Sequence, residues 1–130
     1  MAIVTLPIPV TTDASGAATA YSATPIGGKV EDVRYIPDAT NPLDTGADVT
    51  ITGESSGKAI LTKSNIGTQA FTSAPRQPVH AVADGTALTY DGTRPVTDRV
   101  ALSGERVKVV VAQGGNTLSG VFNVTVDTGN

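Results

Sequence analysis

The chain has 130 residues, no cysteine and a formal net charge of −3, with a pI near 4.9. That length suits one domain able to bury a single core. The missing thiols exclude disulfides and thiolate metal sites, and the acidic balance gives no electrostatic basis for binding nucleic acid. Charged residues make up 16 % of the chain, low against the usual quarter. Threonine, valine, alanine and glycine fill the gap, a mixture that suits strands and turns. No run approaches the roughly 20 apolar residues of a membrane helix. Met1–Val10 lacks a basic start and contains Pro7 and Pro9, so no signal peptide is expected. Cysteine absence points to an intracellular or virion-assembled protein rather than a bridged secreted one.

Ala2–Val10 alternates Ile3, Thr5 and Pro7 against Val4, Leu6 and Ile8. Proline cannot donate to a ladder, so residues 1–10 read as an edge strand or an N-terminal arm able to pair with a neighbouring subunit. Residues 11–130 form the single β domain. Thr11–Gly16 reads as a turn and Ala17–Ala23 as a second strand, together a first hairpin. Lys29–Ile36 is a stronger strand whose Val30 is out of phase with Val33 and Tyr35, and a bulge near Glu31-Asp32 reconciles them. Pro37–Asp48 is a polar loop. Ala47–Gly53 and Lys58–Lys63 flank Glu54-Ser55-Ser56-Gly57 as another hairpin, with Val49 and Ile51 inward. Ser64–Val79, holding Phe71, Pro75, Arg76 and Pro78, reads as a long loop, and loops of that length are commonly functional.

Two Asp-Gly-Thr triplets, at 84–86 and 91–93, mark turns around the short strand Ala87–Tyr90. Val96–Leu102 leads to the best-patterned stretch, Glu105–Asp127. There Val107, Val109 and Val111 alternate on one arm and Phe122, Val124 and Val126 on the other. With Gly114-Gly115-Asn116-Thr117 between them they read as a closing hairpin, Val107 opposite Phe122. About eight short strands with regular turns predict an all-β, single-domain antiparallel β-sandwich or barrel, jelly-roll or immunoglobulin-like.

Catalytic signatures fail on context. Gly53-Glu54-Ser55-Ser56-Gly57 matches G-x-S-x-G by letter, but a nucleophile elbow needs a helix where this chain continues as a strand. With Lys58 it is one residue short of a phosphate loop. His80, the single histidine, has no acids at ligand spacing. No enzyme, cofactor or metal is expected. Tyr21, Tyr35 and Tyr90 are too scattered to predict a sugar platform. Arg76, Arg94, Arg99 and Arg106 read as solvated charge or as anchors to an acidic partner.

The stretches PIPVTTDASGAATAYS, VEDVRYIPD, DTGADVTITGESSGKAI, APRQPVHAVADGT and DRVALSGERVKVVVAQGGNTLSG cover most of the chain. In them it resembles small structural proteins encoded in the morphogenesis clusters of tailed bacteriophages. The resemblance implies a non-enzymatic virion structural protein, assembled in the host cytoplasm, most simply one that decorates or cements the capsid. The alternatives are a neck or tail component, or a glycan- or host-surface-binding module. Implied partners are the major capsid protein or other virion proteins and further copies of the chain, without nucleic acid or membrane. The expected interface residues are Ile3, Leu6 and Ile8 of the arm, with Phe71 and Arg76 of the long loop.

Overall fold

The computed structural model describes residues 2–129, and alternation of apolar and polar side chains becomes strand structure along much of them. Met1 and Asn130, the outer ends of the two predicted segments, lie outside the described residues. Eleven strands form, and no helix, among the described residues. In the larger sheet β1 (Ile3–Thr11) pairs with β11 (Ser119–Asp127), and β11 pairs with β3 (Ile26–Pro37). The far side of β3 is shared by β9 (Ala101–Glu105), along Ile26–Lys29, and β6 (Phe71–Ser73), along Val33–Tyr35. The smaller sheet runs β2 (Ala18–Tyr21), β10 (Val107–Ala112), β4 (Asp48–Gly53), β5 (Ala59–Lys63). Two short strands, β7 (Arg76–Pro78) and β8 (Thr97–Arg99), pair apart from both sheets. Every strand pairing is antiparallel, so the fold is an antiparallel β-sandwich.

One core lies between the two sheets. Leu6, Ile8, Val33, Tyr35, Phe122, Val124 and Val126 come from the larger sheet, and Val49, Ile51, Val107, Val109 and Val111 from the smaller. Each fully buried Val, Leu, Ile or Phe contributes about 1.5–3 kcal/mol. Tyr35 stacks on Phe122 with centroids 4.9 Å apart and lies over Gly120, where a Cβ would stand 2.6 Å from its ring. Burial pushes its phenol pKa up, the Leu43 backbone opposing. Leu43 is itself fully buried, so the polar loop after Pro37 carries a core residue that its neighbours conceal.

The sequence-predicted closing hairpin is corrected. Both of its strands exist, but β10 lies in the smaller sheet between β2 and β4, and β11 lies in the larger between β1 and β3. Their apolar sets face each other across the core instead of sharing one face. The predicted first hairpin fails the same way, β1 and β2 falling in different sheets. Alternation specifies one buried face per strand and is identical for strands side by side and strands facing each other. The loop decides between them. Gln113, Gly115 and Thr117 all adopt positive φ (57°, 88° and 55°), opening a wide arch where a two-residue hairpin turn needs only adjacent central residues there.

The two arches travel together. Ile3 lies opposite Asp127, Ala20 opposite Val109 and Lys29 opposite Ala101, so the first and last segments form one antiparallel ribbon. That ribbon crosses from the larger sheet to the smaller and back. Where strands change sheets, ladder partners are lost, and backbone groups need another acceptor or donor. Among the described residues the buried polar ones stand at these bends: Thr12, Ser22 and Glu105. Thr12 Oγ1 donates to Gly115 O at 2.6 Å and accepts from Leu118 N at 2.9 Å. Ser22 Oγ accepts from Val107 N at 3.0 Å. Glu105 accepts from the amides of Ser55 (3.0 Å), Ser56 (2.9 Å) and Ser103 (3.3 Å) and from the Ser56 hydroxyl (3.0 Å).

Other expectations hold or shift locally. β4 and β5 form a hairpin across Glu54-Ser55-Ser56-Gly57. A bulge lies at Glu31, since Thr125 pairs with Asp32 and Val126 with Val30, which turns both Val30 and Val33 inward. The long loop Ser64–Val79 instead contains β6 and β7. In β1, Thr128 N bonds Ala2 O and Thr12 N bonds Leu118 O, so even-numbered residues bond to β11 and odd-numbered amides face outward. Pro7 and Pro9 occupy two of those outward positions, removing donors from the open edge.

Candidate interaction site

Between β7 and β8 the chain leaves the sandwich. Every residue from Val82 to Asp98 is exposed, whereas Pro75 and Val100, just beyond the two strands, are buried. This spur has no core beneath it. Its shape comes from backbone bonds: Val79 N donates to Val96 O (2.8 Å), Leu88 N to Val79 O (2.8 Å) and Val96 N to Leu88 O (2.9 Å). Three short extended segments thus close on one another as a triangle, with bridges at His80–Ala87 and Thr89–Pro95.

Aspartates fix its turns, because a short carboxylate reaches amides two or three residues on. Asp84 Oδ1 accepts from Thr86 N (3.1 Å) and Thr86 Oγ1 (2.8 Å). Asp91 Oδ1 accepts from Thr93 N (2.9 Å) and Arg94 N (2.6 Å), and its Oδ2 pairs with Arg94 Nε (2.6 Å). Gly85 and Gly92 supply the positive φ that each turn needs. Backbone bonds to Thr86 and Arg94 respectively are the first cause holding the Asp84 and Asp91 carboxyls below their usual range.

Apolar side chains crowd this small element. Val82 is fully open, Tyr90 is 64 % exposed, and Leu88 and Val96 are also exposed. Arg94 lies 5.4 Å from the Tyr90 ring centroid, a cation over an aromatic face. The composition is that of a contact surface: an aromatic and an arginine among aliphatics, with charge kept to the turns.

Of the residues expected at an interface, two belong to the core in this structure. Leu6 and Ile8 are buried in the core, because even-numbered positions of β1 face inward. They meet no partner while β1 stays in its sheet. Ile3 is 51 % exposed on that strand's outer face. Phe71 is half-buried, its ring centroid 5.7 Å from that of Tyr35. Arg76 is exposed at the foot of the spur and donates to the carbonyls of Glu31 and Pro75. These five do not converge. Sequence reasoning read residues 79–96 as ordinary strands and turns. The available signal was the pair of Asp-Gly-Thr turns around a strand too short to reach a sheet.

The chemical motifs resolve as scaffold. Ser55 and Ser56 offer their amides to Glu105, and the strand β5 follows them, as the failed G-x-S-x-G context requires. Gly53 makes room for the Glu105 carboxylate, which a Cβ there would overlap. Tyr35 is buried, whereas Tyr21 and Tyr90 are exposed at 37 % and 64 % and each lies under an arginine, Arg106 (4.3 Å to the centroid) and Arg94 respectively. Among the described residues no group of three or more His, Asp and Glu side chains is arranged to hold a metal ion.

No family model and no curated protein matches the chain. Among solved structures, a crystal structure of FlhE is similar over 97 % of this chain and 98 % of that one, at 16 % identity and a TM-score of 0.44. A likeness that loose supports no inference about activity or partners.

Proposed function

We propose that this chain is a non-enzymatic structural protein of a tailed-phage virion that decorates or cements the capsid, with the spur as its docking element. The observation that carries the reading is the exposure of Val82, Leu88, Tyr90 and Val96 on a spur with no core of its own. Apolar and aromatic side chains left exposed in the single chain gain from being covered. The resemblance to proteins of phage morphogenesis clusters supplies the partner class, the major capsid protein. On a lattice, many copies of a small contact reach high avidity without any one being strong. The role expected of an N-terminal arm passes to the spur, since β1 is an edge strand whose inward side chains belong to the core and whose open edge is short of donors.

Quantifying the protein in purified virions tests this reading. Copies in proportion to the capsid subunits support decoration, and a single ring's worth supports the neck or tail alternative. Absence from virions overturns both. Exchanging Leu88 and Tyr90 for serine should abolish attachment of the folded protein to capsids. Undiminished attachment would remove the spur from the interface.

A further inference from the structure

We infer that the spur is a hinged element whose direction relative to the sandwich is held by a charge latch centred on Arg99. This goes beyond the proposed docking role and does not depend on what the spur meets. The hinge line is marked by Pro75 and Val100, the buried residues flanking β7 and β8. Outward of it, from Val82 to Asp98, no residue is buried, so no core residue anchors the spur to the sandwich.

What crosses from its foot to the sandwich is charge. The Arg99 guanidinium reaches Glu31 of β3 and, at 3.0 Å, Asp127 Oδ2 of β11. Lys29 Nζ of β3 pairs with Asp98 Oδ2 at 3.2 Å, and Arg76 Nη1 of β7 donates to the Glu31 carbonyl at 3.2 Å. The Glu31 bulge supports this arrangement. The extra residue places Glu31 beside Arg99 while Val30 and Val33 both keep their core positions. One cation thus bridges two strands of the large sheet, and a second pair of opposite sign order stands beside it. Arg99 and Asp127 side chains are 28 % and 14 % exposed, Lys29 and Asp98 nearly half. Exposed ion pairs are weak and screened by salt. They hold the spur's direction here because no buried residue of the spur itself adds to them.

The absence of cysteine allows a direct measurement. Cysteines in place of Thr93 on the spur and Thr62 on β5, both exposed, take spin labels for a pulsed-resonance distance distribution on the full chain. At low ionic strength, about 0.01 M with a screening length of ~30 Å, the distribution should be narrow. It should broaden at about 1 M salt, where screening acts within ~3 Å. Arg99→Gln should broaden it at low salt, and Arg34→Gln, a cation of β3 outside the cluster, should not. An unchanged circular dichroism spectrum and melting temperature in Arg99→Gln assigns the change to the hinge. Should that variant unfold, the salt titration of the parent decides alone. A distribution that stays narrow in high salt overturns the latch. So does one already broad at low salt, or equal broadening in Arg34→Gln. Failure of virion attachment leaves this result untouched, so the two readings fail separately.

Discussion

The sandwich and the spur solve the ordering problem by opposite means. In the sandwich, alternating Val, Ile and Phe side chains from two sheets share a core, and the few buried polar groups sit where strands change sheets. In the spur, no residue from Val82 to Asp98 is buried, and form comes from backbone bonds and two aspartate-held turns. The first arrangement makes stability a collective property of distant residues. The second gives a defined shape at little cost to the rest of the chain, since removing it exposes no core. A protein built this way can vary the spur without disturbing its scaffold.

The contrast breaks most visibly in the core. Val124→Asp places an unpaired charge between the sheets and should abolish cooperative unfolding, read by circular dichroism. Phe122→Ala should cost about 3–5 kcal/mol in urea denaturation. Deleting residues 1–10 should unfold the chain, because it removes Leu6, Ile8 and Val10 from the core, and Leu6→Ala alone should cost about 2–5 kcal/mol. A truncated chain with wild-type stability would overturn the core assignment of β1.

Next in size is acid sensitivity. A hydrogen bond from the Ser56 amide, opposed by burial and joined by bonds from the Ser103 amide, the Ser56 hydroxyl and the Ser55 amide, holds the Glu105 carboxyl below its usual range. A depressed folded pKa contributes stability that is fully present above the unfolded glutamate's value. It is lost as pH falls through the lower folded value. Glu105→Gln should therefore lower the melting temperature at neutral pH and flatten its acid limb. Equal acid limbs in parent and variant would refute the assignment. The smallest expected effects lie in the spur. Replacing Val79–Val96 with an Asn-Gly turn between Pro78 and Thr97, or making Tyr90→Ala, should shift stability by about 0.5 kcal/mol or less. A larger loss would show the spur to be part of the scaffold.

Much of the fold is legible in the residues. Alternation places Val107 to Val111 and Phe122 to Val126 inward, the out-of-phase Val30 announces the bulge at Glu31, and Glu54–Gly57 marks a true hairpin. Pairing is not legible, because a strand's pattern does not say whether its sequence neighbour lies beside it or across the core. The Gly114-Gly115 loop carries that information only through its dihedral angles and its bonds to Thr12 and Gly16. The candidate site was less visible still. Leu88 and Tyr90 have the apolar character of core residues, and exposure depends on sheets too far away in sequence to read. Prolines at 7 and 9 did show an edge strand, but the direction of their missing donors emerges only from register.

The paired ribbon of first and last segments also sets an order of assembly. The middle strands of both sheets, β10 and β11, are made after every strand they pair with, so β1 and β2 wait for them, as the first half of β3 waits for β9. Until then only local pieces such as the β4–β5 hairpin have partners. Contacts of such high sequence separation slow folding into the millisecond-to-second range typical of β-sandwiches. They also leave unpaired strand edges open to other nascent chains. Pro7 and Pro9 then serve a second purpose, shielding the first strand during that wait. A chain truncated before Val107 would lack the partners of β1 and β2 and the central strand of each sheet.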